Sequence, residues 1–416
     1  MSKNGEQLYA EKEARINDAI QLKEPDRVPL FPTFHLFAAK YAGITKEEAF
    51  KDSDKWFGAN KKMILDFDPD IYFNPDFAVF SSAEAFNTVD FKQVLLPGYG
   101  VPSDASFQFV EDEYMKEDEY DAFLEDPSDY ALRTYMPRIF GTLEPLKMLP
   151  PLTAMLNGYA GINIISVLAA PPLANAFESL SKAAQESAKW GQAGEQFHTE
   201  MAGLGYPPFA RAVALAPFDV ISDMMRGMKG SMLDMYRQPD KLIKTQEKLF
   251  PMILGSAIGR AQMLNASRVF MPLHRGADGF MSNQQFEKFY WPFLKELIQE
   301  LINAGLTPCP FFEGTYQSRL SYLKELPAGK IMGIFDRTDM VKAKKELGDN
   351  MCIAGNVPAG LMDTGKPEDV KNYCKKLIDD VGSGGGFVMS PGGVLDEARP
   401  ENVKAMCEAT REYGVY

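Results

Sequence analysis

Residues 351–393 read MCIAGNVPAGLMDTGKPEDVKNYCKKLIDDVGSGGGFVMSPGG, and this stretch decides the fold. An apolar run at 351–358 is followed by an amphipathic segment at 366–382 and by a second apolar run at 385–393. Pro367 near the first turn and Gly382 at the end are typical start and stop signals of a helix. A strand, a helix and a strand in this order predict a βα unit of a parallel sheet.

The same alternation extends toward the N-terminus, where a further helix is predicted over residues 285–305. Eight strands are predicted in all: VPLFPTF (28–34), DIYFNP (70–75), GINIISVLAAPP (161–172), RVFMPLH (268–274), TPCPFFEG (307–314), IMGIFDR (331–337), MCIAGNVP (351–358) and GGFVMSPGG (385–393). Eight such units fit one closed (β/α)8 TIM barrel, so residues 1–416 are predicted to form a single barrel domain. A doubly wound open sheet is the structural alternative, although no GxGxxG motif follows an early strand.

Residues 76–160, after the second predicted strand, are aromatic, acidic and irregular in pattern. This stretch predicts an insertion over the barrel mouth, built from a hairpin and helices. The methionine-rich residues 223–235 predict either an adaptable docking surface or a buried helix.

Composition narrows the functional classes. The chain of 416 residues has a net charge of -13 and 45% hydrophobic residues, so it can bury a large core. Its acidic balance disfavours nucleic acid and anionic membranes as partners, because both need a basic surface.

No run of eighteen apolar residues and no apolar N-terminal segment is present, so we expect a cytoplasmic protein without a membrane span. The four cysteines lack CxxC spacing and are expected to be free thiols.

Polar residues at the carboxyl ends of the strands are the candidates for function, because barrel enzymes place their chemistry there. Glu313 draws attention because it ends an otherwise apolar strand. The predicted strand ends place the following residues at this rim: His35, Asn74, His274, Glu313, Asp336, Asn356 and Ser390.

Several motifs resemble the uroporphyrinogen decarboxylase superfamily. They are PDRVPL at 25–30, the pair Gly355 and Asn356, GKPEDV at 365–370, SPGG at 390–393 and PENVKAM at 400–406. The superfamily includes true uroporphyrinogen decarboxylases and corrinoid-dependent methyltransferases. Its members are (β/α)8 barrels, so the resemblance implies the same fold as the strand pattern.

The decarboxylase branch has an R-Q-A-G-R-Y stretch whose arginines hold the propionates of the porphyrinogen. The similar stretch here is LFAAKY at 36–41, with Leu36 and Lys40 in place of the two arginines. The family's pyrrole-binding acid would lie near 74–76, at Asp76. A substrate with many carboxylates needs paired cations. Decarboxylation of a tetrapyrrole or another acid is therefore the second hypothesis.

The thiol-activating methyltransferases have H-x-C-G and P-G-C-G motifs that supply a His, Cys, Cys zinc site. The corresponding residues here are FFEG at 311–314 and PGGV at 391–394. Phe311, Glu313 and Gly393 thus replace the three ligands, and a zinc–thiolate site of that design cannot form.

The remaining branch transfers a methyl group from a small donor, such as a methoxylated aromatic, to a Co(I) corrinoid. The three histidines lack a DxHxxG-type corrinoid-binding context, so the corrinoid is expected on a separate partner protein. Departure of the oxygen or nitrogen leaving group requires a proton or a Lewis acid. Together, the resemblance and the predicted strand ends give three sets of candidate site residues. They are Glu313, His274 and Asp336 for catalysis; Glu313, His274 and Cys352 as ligands of a Zn²⁺ ion; and His35, Tyr72, Asn74, Phe311 and Asn356 for binding the substrate.

Structural roles remain open for the same residues. Glu313 can form a salt bridge with Arg319 or Arg275, and His274 can be a neutral histidine bonded to backbone. Asp336 can cap the following helix. A non-catalytic binding protein that kept the barrel is a third hypothesis.

Overall fold

A computed structural model describes residues 3–416. The strands of this part of the chain are β1 (Val94–Pro97), β2 (Gly100–Val101), β3 (Gln108–Phe109), β4 (Ala212–Val213), β5 (Arg268–Leu273), β6 (Thr307–Phe312), β7 (Met332–Phe335), β8 (Cys352–Val357) and β9 (Phe387–Pro391). Strands β4 to β9 form one six-stranded sheet in chain order, with every neighbouring pair parallel. This parallel α/β architecture agrees with the alternation in the sequence.

Helices connect and surround these strands. The α-helices are α1 (Gly5–Ile20), α2 (Phe37–Ala42), α3 (Lys46–Lys51), α4 (Ser53–Phe67), α5 (Ala83–Thr88), α6 (Tyr120–Glu125), α7 (Pro127–Tyr130), α8 (Met136–Ile139), α9 (Ala160–Val167), α10 (Pro171–Gly203), α11 (Pro217–Val220), α12 (Gly227–Arg237), α13 (Pro239–Met263), α14 (Asn283–Gln285), α15 (Trp291–Asn303), α16 (Leu320–Leu323), α17 (Met340–Leu347), α18 (Ala359–Thr364), α19 (Pro367–Leu377) and α20 (Pro400–Tyr413). Wider π-helical turns span Ala131–Tyr135, Ile221–Met225, Phe286–Tyr290 and Ile378–Gly382. Both helices predicted from the sequence, at 285–305 and 366–382, are confirmed.

The first two predicted strands appear as extended segments with isolated bridges. Phe31 N–H donates to Met389 of β9 at 2.9 Å, and Asp70 N–H donates to Leu30 at 3.0 Å. Tyr72 in turn bridges Pro208, shortly before β4. Prolines at 29 and 32 remove backbone donors from the first segment, which limits regular strand pairing. The predicted closed eight-stranded barrel is therefore present as a six-stranded sheet with bridged segments at its edges.

A separate hydrophobic cluster occupies the space that these segments and the sheet enclose. It includes residues from both bridged segments and from β6 to β9, such as Phe31, Phe73, Cys309, Ile334 and Val388. The main core lies between the sheet and the surrounding helices. The packing is thus barrel-like even where strand pairing is interrupted.

The strand predicted at 161–172 is wrong. This stretch forms α9 and the start of α10. The strand that follows the two bridged segments in the fold is instead β4. The isoleucine-rich composition favours a strand locally, but strand propensity depends on the surrounding contacts. Here the run lies outside the sheet, over a small cluster that includes Leu143, Leu146 and Leu173.

Residues 76–160 contain the small sheet of order β2-β1-β3 together with α5 to α8. Their description as an insertion over the mouth remains a prediction. Among the described residues, no single helix is long and apolar enough to cross a membrane. All four cysteines are buried free thiols, as predicted.

Candidate active site

His274 lies directly after β5, at the carboxyl end of the sheet. Its Nδ1 is 2.5 Å from Asp223 Oδ2, and its side chain is 33% exposed. Burial lowers the pKa of His274, but the bond to Asp223 and the charges of Asp223, Asp219 and Glu313 outweigh it and raise the pKa to about 9. The ring is therefore an imidazolium near neutral pH, with Asp223 holding Nδ1–H.

Asp219 organises the backbone around this histidine. It is fully buried and accepts hydrogen bonds from the N–H of His274 (3.1 Å) and the N–H of Arg275 (3.0 Å). Tyr290 donates to the same carboxylate at 2.7 Å. Burial raises the pKa of Asp219 to about 6, although the His274 charge opposes the rise. The buried carboxylate therefore holds the backbone of His274 and Arg275 in place at the end of β5.

Glycine at position 276 permits this tight packing. A Cβ there would lie 2.7 Å from the Tyr316 hydroxyl oxygen and 2.6 Å from a ring carbon of Tyr290. Since real Cβ atoms do not approach so closely, the HRG sequence after β5 lets two buried tyrosines close over the turn.

Glu313 follows β6 and faces the same histidine. Its Oε2 is 3.8 Å from His274 Nε2, and its side chain is 54% exposed. This separation is longer than a hydrogen bond, so it allows the Nε2 proton to point to a substrate atom. Glu313 therefore places a negative charge near the His274 ring without forming a hydrogen bond to Nε2.

Asp336, after β7, supports the turn that presents Glu313. Its Oδ2 accepts the N–H of Gly314 at 2.9 Å, and Gly314 has a φ of +82°. Burial raises the pKa of Asp336, whereas the Gly314 N–H and the charge of Arg337 lower it. Asp336 thus does not contact His274 or the Glu313 side chain directly. It contacts the backbone of Gly314, the residue after Glu313.

Two cavities open at this end of the sheet. A cavity of about 140 Å³ is lined by His274, Asp223 and Arg275, with Gln93, Phe109, Val110, Glu111 and Met224 around them. A larger one of about 550 Å³ has Asp336 and Asn356 in its wall. The smaller cavity is adjacent to the imidazole and is the candidate position for a reacting group.

Three comparisons with known proteins bear on this site. The family model for uroporphyrinogen decarboxylase matches residues 208–413, which include β4 to β9, His274 and its acidic neighbours Asp219, Asp223 and Glu313. The chain belongs to the uroporphyrinogen decarboxylase superfamily. A uroporphyrinogen decarboxylase from Chlorobium phaeobacteroides is 26% identical over 157 residues, covering 35% of this chain and 43% of that relative. The match therefore spans less than half of the relative's length.

A solved structure shows the likeness across the whole fold. The methyltransferase from Methanosarcina mazei matches with a TM-score of 0.61 and 15% identity, over 97% of this chain and 98% of its own. At this identity the likeness establishes the shared fold alone. The fold shared with that structure thus includes the N-terminal half, which the family model does not match.

Within this superfamily fold, His35 forms a second histidine–carboxylate pair. Its Nδ1 is 2.7 Å from Asp396 Oδ1, and Ser106 donates to the other oxygen of Asp396 at 2.6 Å. These bonds hold the pKa of Asp396 well below its usual range, although burial opposes them. Asn356 donates to the backbone oxygens of Asp336 and Thr338 at 2.9 and 2.8 Å. For both residues, substrate binding remains a prediction.

Two of the predicted substrate residues face protein groups. Tyr72 is fully buried, and its hydroxyl lies 2.6 Å from His198 Nδ1 on α10. This places the phenol against helix α10, and substrate binding by Tyr72 remains a prediction. Asn74 caps a short turn by accepting the N–H of Asp76 at 2.9 Å. Phe311 is half-buried and packs against the cluster inside the sheet.

Cys352 does not join His274 and Glu313. It begins β8, whereas the other two residues follow the carboxyl ends of their strands, and it is fully buried in the interior cluster. Burial raises the pKa of this thiol, which disfavours the thiolate that a metal needs. Within residues 3–416, no group of three His, Cys, Asp or Glu side chains is arranged to hold a metal ion. The donor set therefore does not fit the predicted zinc site.

The structural roles that the sequence left open for Glu313 and Asp336, an arginine salt bridge and a helix cap, are not observed. Arg319 is buried beside Asp278, at 3.6 Å, and Arg275 pairs with Asp223 at 2.9 Å, so Glu313 has neither arginine. Asp339, and not Asp336, caps the helix after β7.

Asp219 and Asp223 were missed by the sequence reasoning. Both lie in PFDVISDMM, where two acids four residues apart occur in an otherwise apolar helical run. Such a pair shares one helix face and is costly to bury without partners. That spacing was the signal that could have identified them.

Proposed function

We propose that the protein is a methyltransferase that moves a methyl group from a small oxygen or nitrogen donor to a separate corrinoid protein. The observation that supports this most directly is an imidazolium, His274, held by Asp223 beside a small cavity. Superfamily membership and the fold shared with a methyltransferase favour the same class.

The chemistry requires an acid. A reduced corrinoid on the partner would supply the nucleophile that takes the methyl group. As the bond from methyl carbon to oxygen or nitrogen breaks, the leaving atom keeps the electron pair and receives the Nε2 proton of His274. A positioned general acid typically contributes about 10²–10⁴ in rate. The neutral imidazole can regain a proton from solvent because its side chain is 33% exposed.

Glu313 and Asp336 have supporting roles in this proposal. The Glu313 carboxylate, 3.8 Å from Nε2, stabilises the imidazolium before transfer. Asp336 acts as a positioning residue, because it holds the Gly314 N–H next to Glu313.

The small cavity favours a flat, largely apolar donor. Phe109, Val110 and Met224 contribute apolar surface, while Gln93 contributes an amide. A methoxylated aromatic matches this lining, since its ring can pack against Phe109 while the ether oxygen faces His274.

The charges at the rim disfavour the alternative of a polycarboxylate decarboxylase. Asp219, Asp223 and Glu313 surround the imidazole, and Arg275 is paired with Asp223. Asp76 has one carboxylate oxygen 3.3 Å from His198 of α10. A substrate with several carboxylates would need free cations at the rim, and this arrangement places acids there instead.

The decisive experiment compares leaving groups. Methyl transfer to reduced cobalamin is measured for His274→Gln and wild type with anisole-type donors whose phenols span a wide range of pKa. If His274 is the acid, the variant loses about 10²–10⁴ in rate with poorly acidic phenols and far less with nitrophenol methyl ethers. His198→Gln, which removes a histidine at α10, is the matched control. An equal loss for all donors would contradict the acid role, and no transfer by wild type from any ether or methylamine would contradict the proposed function.

A further inference from the structure

A further cavity, of about 320 Å³, opens at the amino end of the sheet. Its wall includes Arg211, which directly precedes β4, and Arg268, which begins β5. Helices α1 and α10 contribute Tyr9 and His198. Since His274 follows the other end of β5, the cavity lies about 20 Å from the candidate active site along that strand. Its volume is within the range of small-molecule sites, roughly 300–1,000 Å³.

Arg268 forms a fixed part of this wall. Its side chain is buried, and its Nε donates to the Phe209 carbonyl oxygen at 2.6 Å. Its Nη1 and Nη2 donate to the two carboxylate oxygens of Glu13 at 2.8 and 2.7 Å. A bidentate pair of this kind is strong and geometrically specific. Glu13 therefore offsets the charge of Arg268, and this guanidinium is committed to protein groups.

Arg211 is the cation that keeps capacity for a ligand. Its side chain is 13% exposed, and its Nη2 donates to Glu195 of α10. Its Nε is buried, and within the part of the chain that the structure describes this atom has no hydrogen-bond partner. A buried donor of a charged group is costly without an acceptor, because it has lost water and gained no bond in return. A ligand oxygen in the cavity would bring an acceptor to this guanidinium.

Glu195 holds Arg211 only weakly. The Glu195 side chain is 49% exposed, and ion pairs with such an exposed partner contribute little because water solvates the charges. Arg211 is mostly enclosed by protein, so it remains in place if Glu195 turns into solvent. A ligand carboxylate can therefore replace Glu195 on the guanidinium, where the planar fork matches a carboxylate.

The rest of the wall combines neutral hydrogen-bonding groups with apolar surface. Tyr9, Asn265 and Ser267 contribute a phenol, an amide and a hydroxyl group. Burial, followed by the charge of Glu13, raises the pKa of Tyr9, so its hydroxyl stays protonated and can donate a hydrogen bond. The apolar surface comes from Ala202, Pro208, Phe209, Leu264 and Ala266. Such a wall suits a small molecule with one charged group and a compact apolar body.

We propose that this cavity binds a small monocarboxylate, with the carboxylate on Arg211 and the apolar body against Ala202 and Leu264. One available arginine matches one negative charge. A phosphate dianion fits less well, because Glu13 lies in the same wall and the net charge of -13 repels further negative charge. The site lies apart from His274 and does not depend on the proposed methyl transfer.

The three histidines of the chain allow a direct test, because they lie in three different places. His198 lines this cavity, with its ring held 2.6 Å from the Tyr72 hydroxyl and 3.3 Å from Asp76, whereas His274 and His35 lie elsewhere. Their ring NMR signals are assigned by replacing each histidine singly with glutamine. The full chain is then titrated with benzoate, hexanoate and inorganic phosphate.

Benzoate and hexanoate should shift the His198 signal alone, with dissociation constants of about 1 mM or tighter. Phosphate should bind at least about tenfold more weakly. Arg211→Gln should weaken benzoate binding about tenfold or more, because a charged donor is lost. Glu195→Gln should tighten it about twofold to fivefold, because the competing carboxylate is gone.

The matched controls are Arg237→Gln and Glu117→Gln, which break an exposed pair 3.5 Å apart elsewhere on the protein. Both should leave benzoate binding unchanged. If Arg211→Gln fails to fold, Glu195→Gln decides, since a damaged protein does not gain affinity. Unchanged or weaker binding by that variant contradicts the proposal.

Four results would overturn the site. They are the absence of any His198 shift at about 10 mM carboxylate, a shift of His274 or His35 in its place, phosphate binding as tight as that of benzoate, and full affinity in a folded Arg211→Gln variant. Methyl transfer is not a readout in these titrations. Failure of the proposed function would therefore leave this result unaffected.

Discussion

His274 Nδ1 lies 2.5 Å from Asp223 Oδ2, and this pair places a charged imidazole at the rim of the sheet. The two residues are 51 positions apart, and Asp223 is presented by the π-helical turn Ile221–Met225. Such turns occur often at functional sites because the wider turn redirects a side chain. The relationship makes the histidine a candidate acid.

The pH dependence of catalysis should report this pair. Because the pKa of His274 is raised to about 9, the acid form is lost and turnover should fall as pH rises through that value. Asp223→Asn removes the main charge that raises the pKa, so the basic limb should move to lower pH by at least about one unit. An NMR titration of the His274 ring checks the same midpoint. A limb that stays at its original pH would separate turnover from His274.

Protein stability should depend on the same group. The folded pKa of about 9 lies above the ordinary value of 6.5, so the stabilising effect is complete below about pH 6.5 and is lost as pH rises toward 9. The difference in the free energy of unfolding between wild type and His274→Gln should therefore be largest below pH 6.5 and should shrink above pH 9. Denaturant titrations across this range measure it. A difference that grows with pH would show that the sign is wrong.

Glu313→Gln should have a modest effect. Its carboxylate is 54% exposed and 3.8 Å from His274 Nε2, so solvent screens the interaction. An exposed charge pair at this distance contributes about 1 kcal/mol, and turnover should fall about fivefold, much less than for His274→Gln. Steady-state kinetics with one methoxyaryl donor measures both variants. Unchanged turnover would remove Glu313 from the mechanism, while a loss equal to that of His274→Gln would make it the acid.

The buried carboxylate Asp70 should be a principal determinant of stability. It is fully buried, bonds to Arg15 at 2.5 Å and to Arg27 at 2.7 and 2.8 Å, and accepts the N–H of Leu30 at 2.7 Å. Asp70→Asn removes the fully buried partner that Arg15 and Arg27 share and should cost about 3–5 kcal/mol. Asp26→Asn is the control, because this second partner of Arg15 is 62% exposed and should cost less than about 1 kcal/mol. Urea unfolding measures both, and equal losses would contradict the importance of burial.

Cys352→Ser tests the corrected ligand set. Since Cys352 is buried at the start of β8, away from the rim, its replacement should leave zinc content and methyl transfer unchanged within about twofold. Metal analysis of both proteins after incubation with Zn²⁺ provides the measurement. Loss of one equivalent of zinc in the variant alone would restore this thiol as a ligand.

Local patterns were sufficient for much of the fold. The helix at 366–382 was predicted from its periodicity, its proline and its glycine, and the strand ending at Glu313 from its apolar run. Periodicity failed at 161–172, because a β-branched run satisfies strand and buried-helix patterns alike. Whether such a run joins a sheet depends on neighbours that are distant in the chain.

The sequence by itself determined the parallel α/β alternation, the superfamily and the placement of His274 and Glu313 after neighbouring strands. Only the tertiary structure decided that Asp223 charges the histidine, that Cys352 belongs to the interior, and that residues 161–172 fold as helix outside the sheet. The physical reason is the distance along the chain over which each effect acts. Propensity and periodicity act over one or two turns of chain, whereas ionisation and burial depend on groups that folding brings together from far apart.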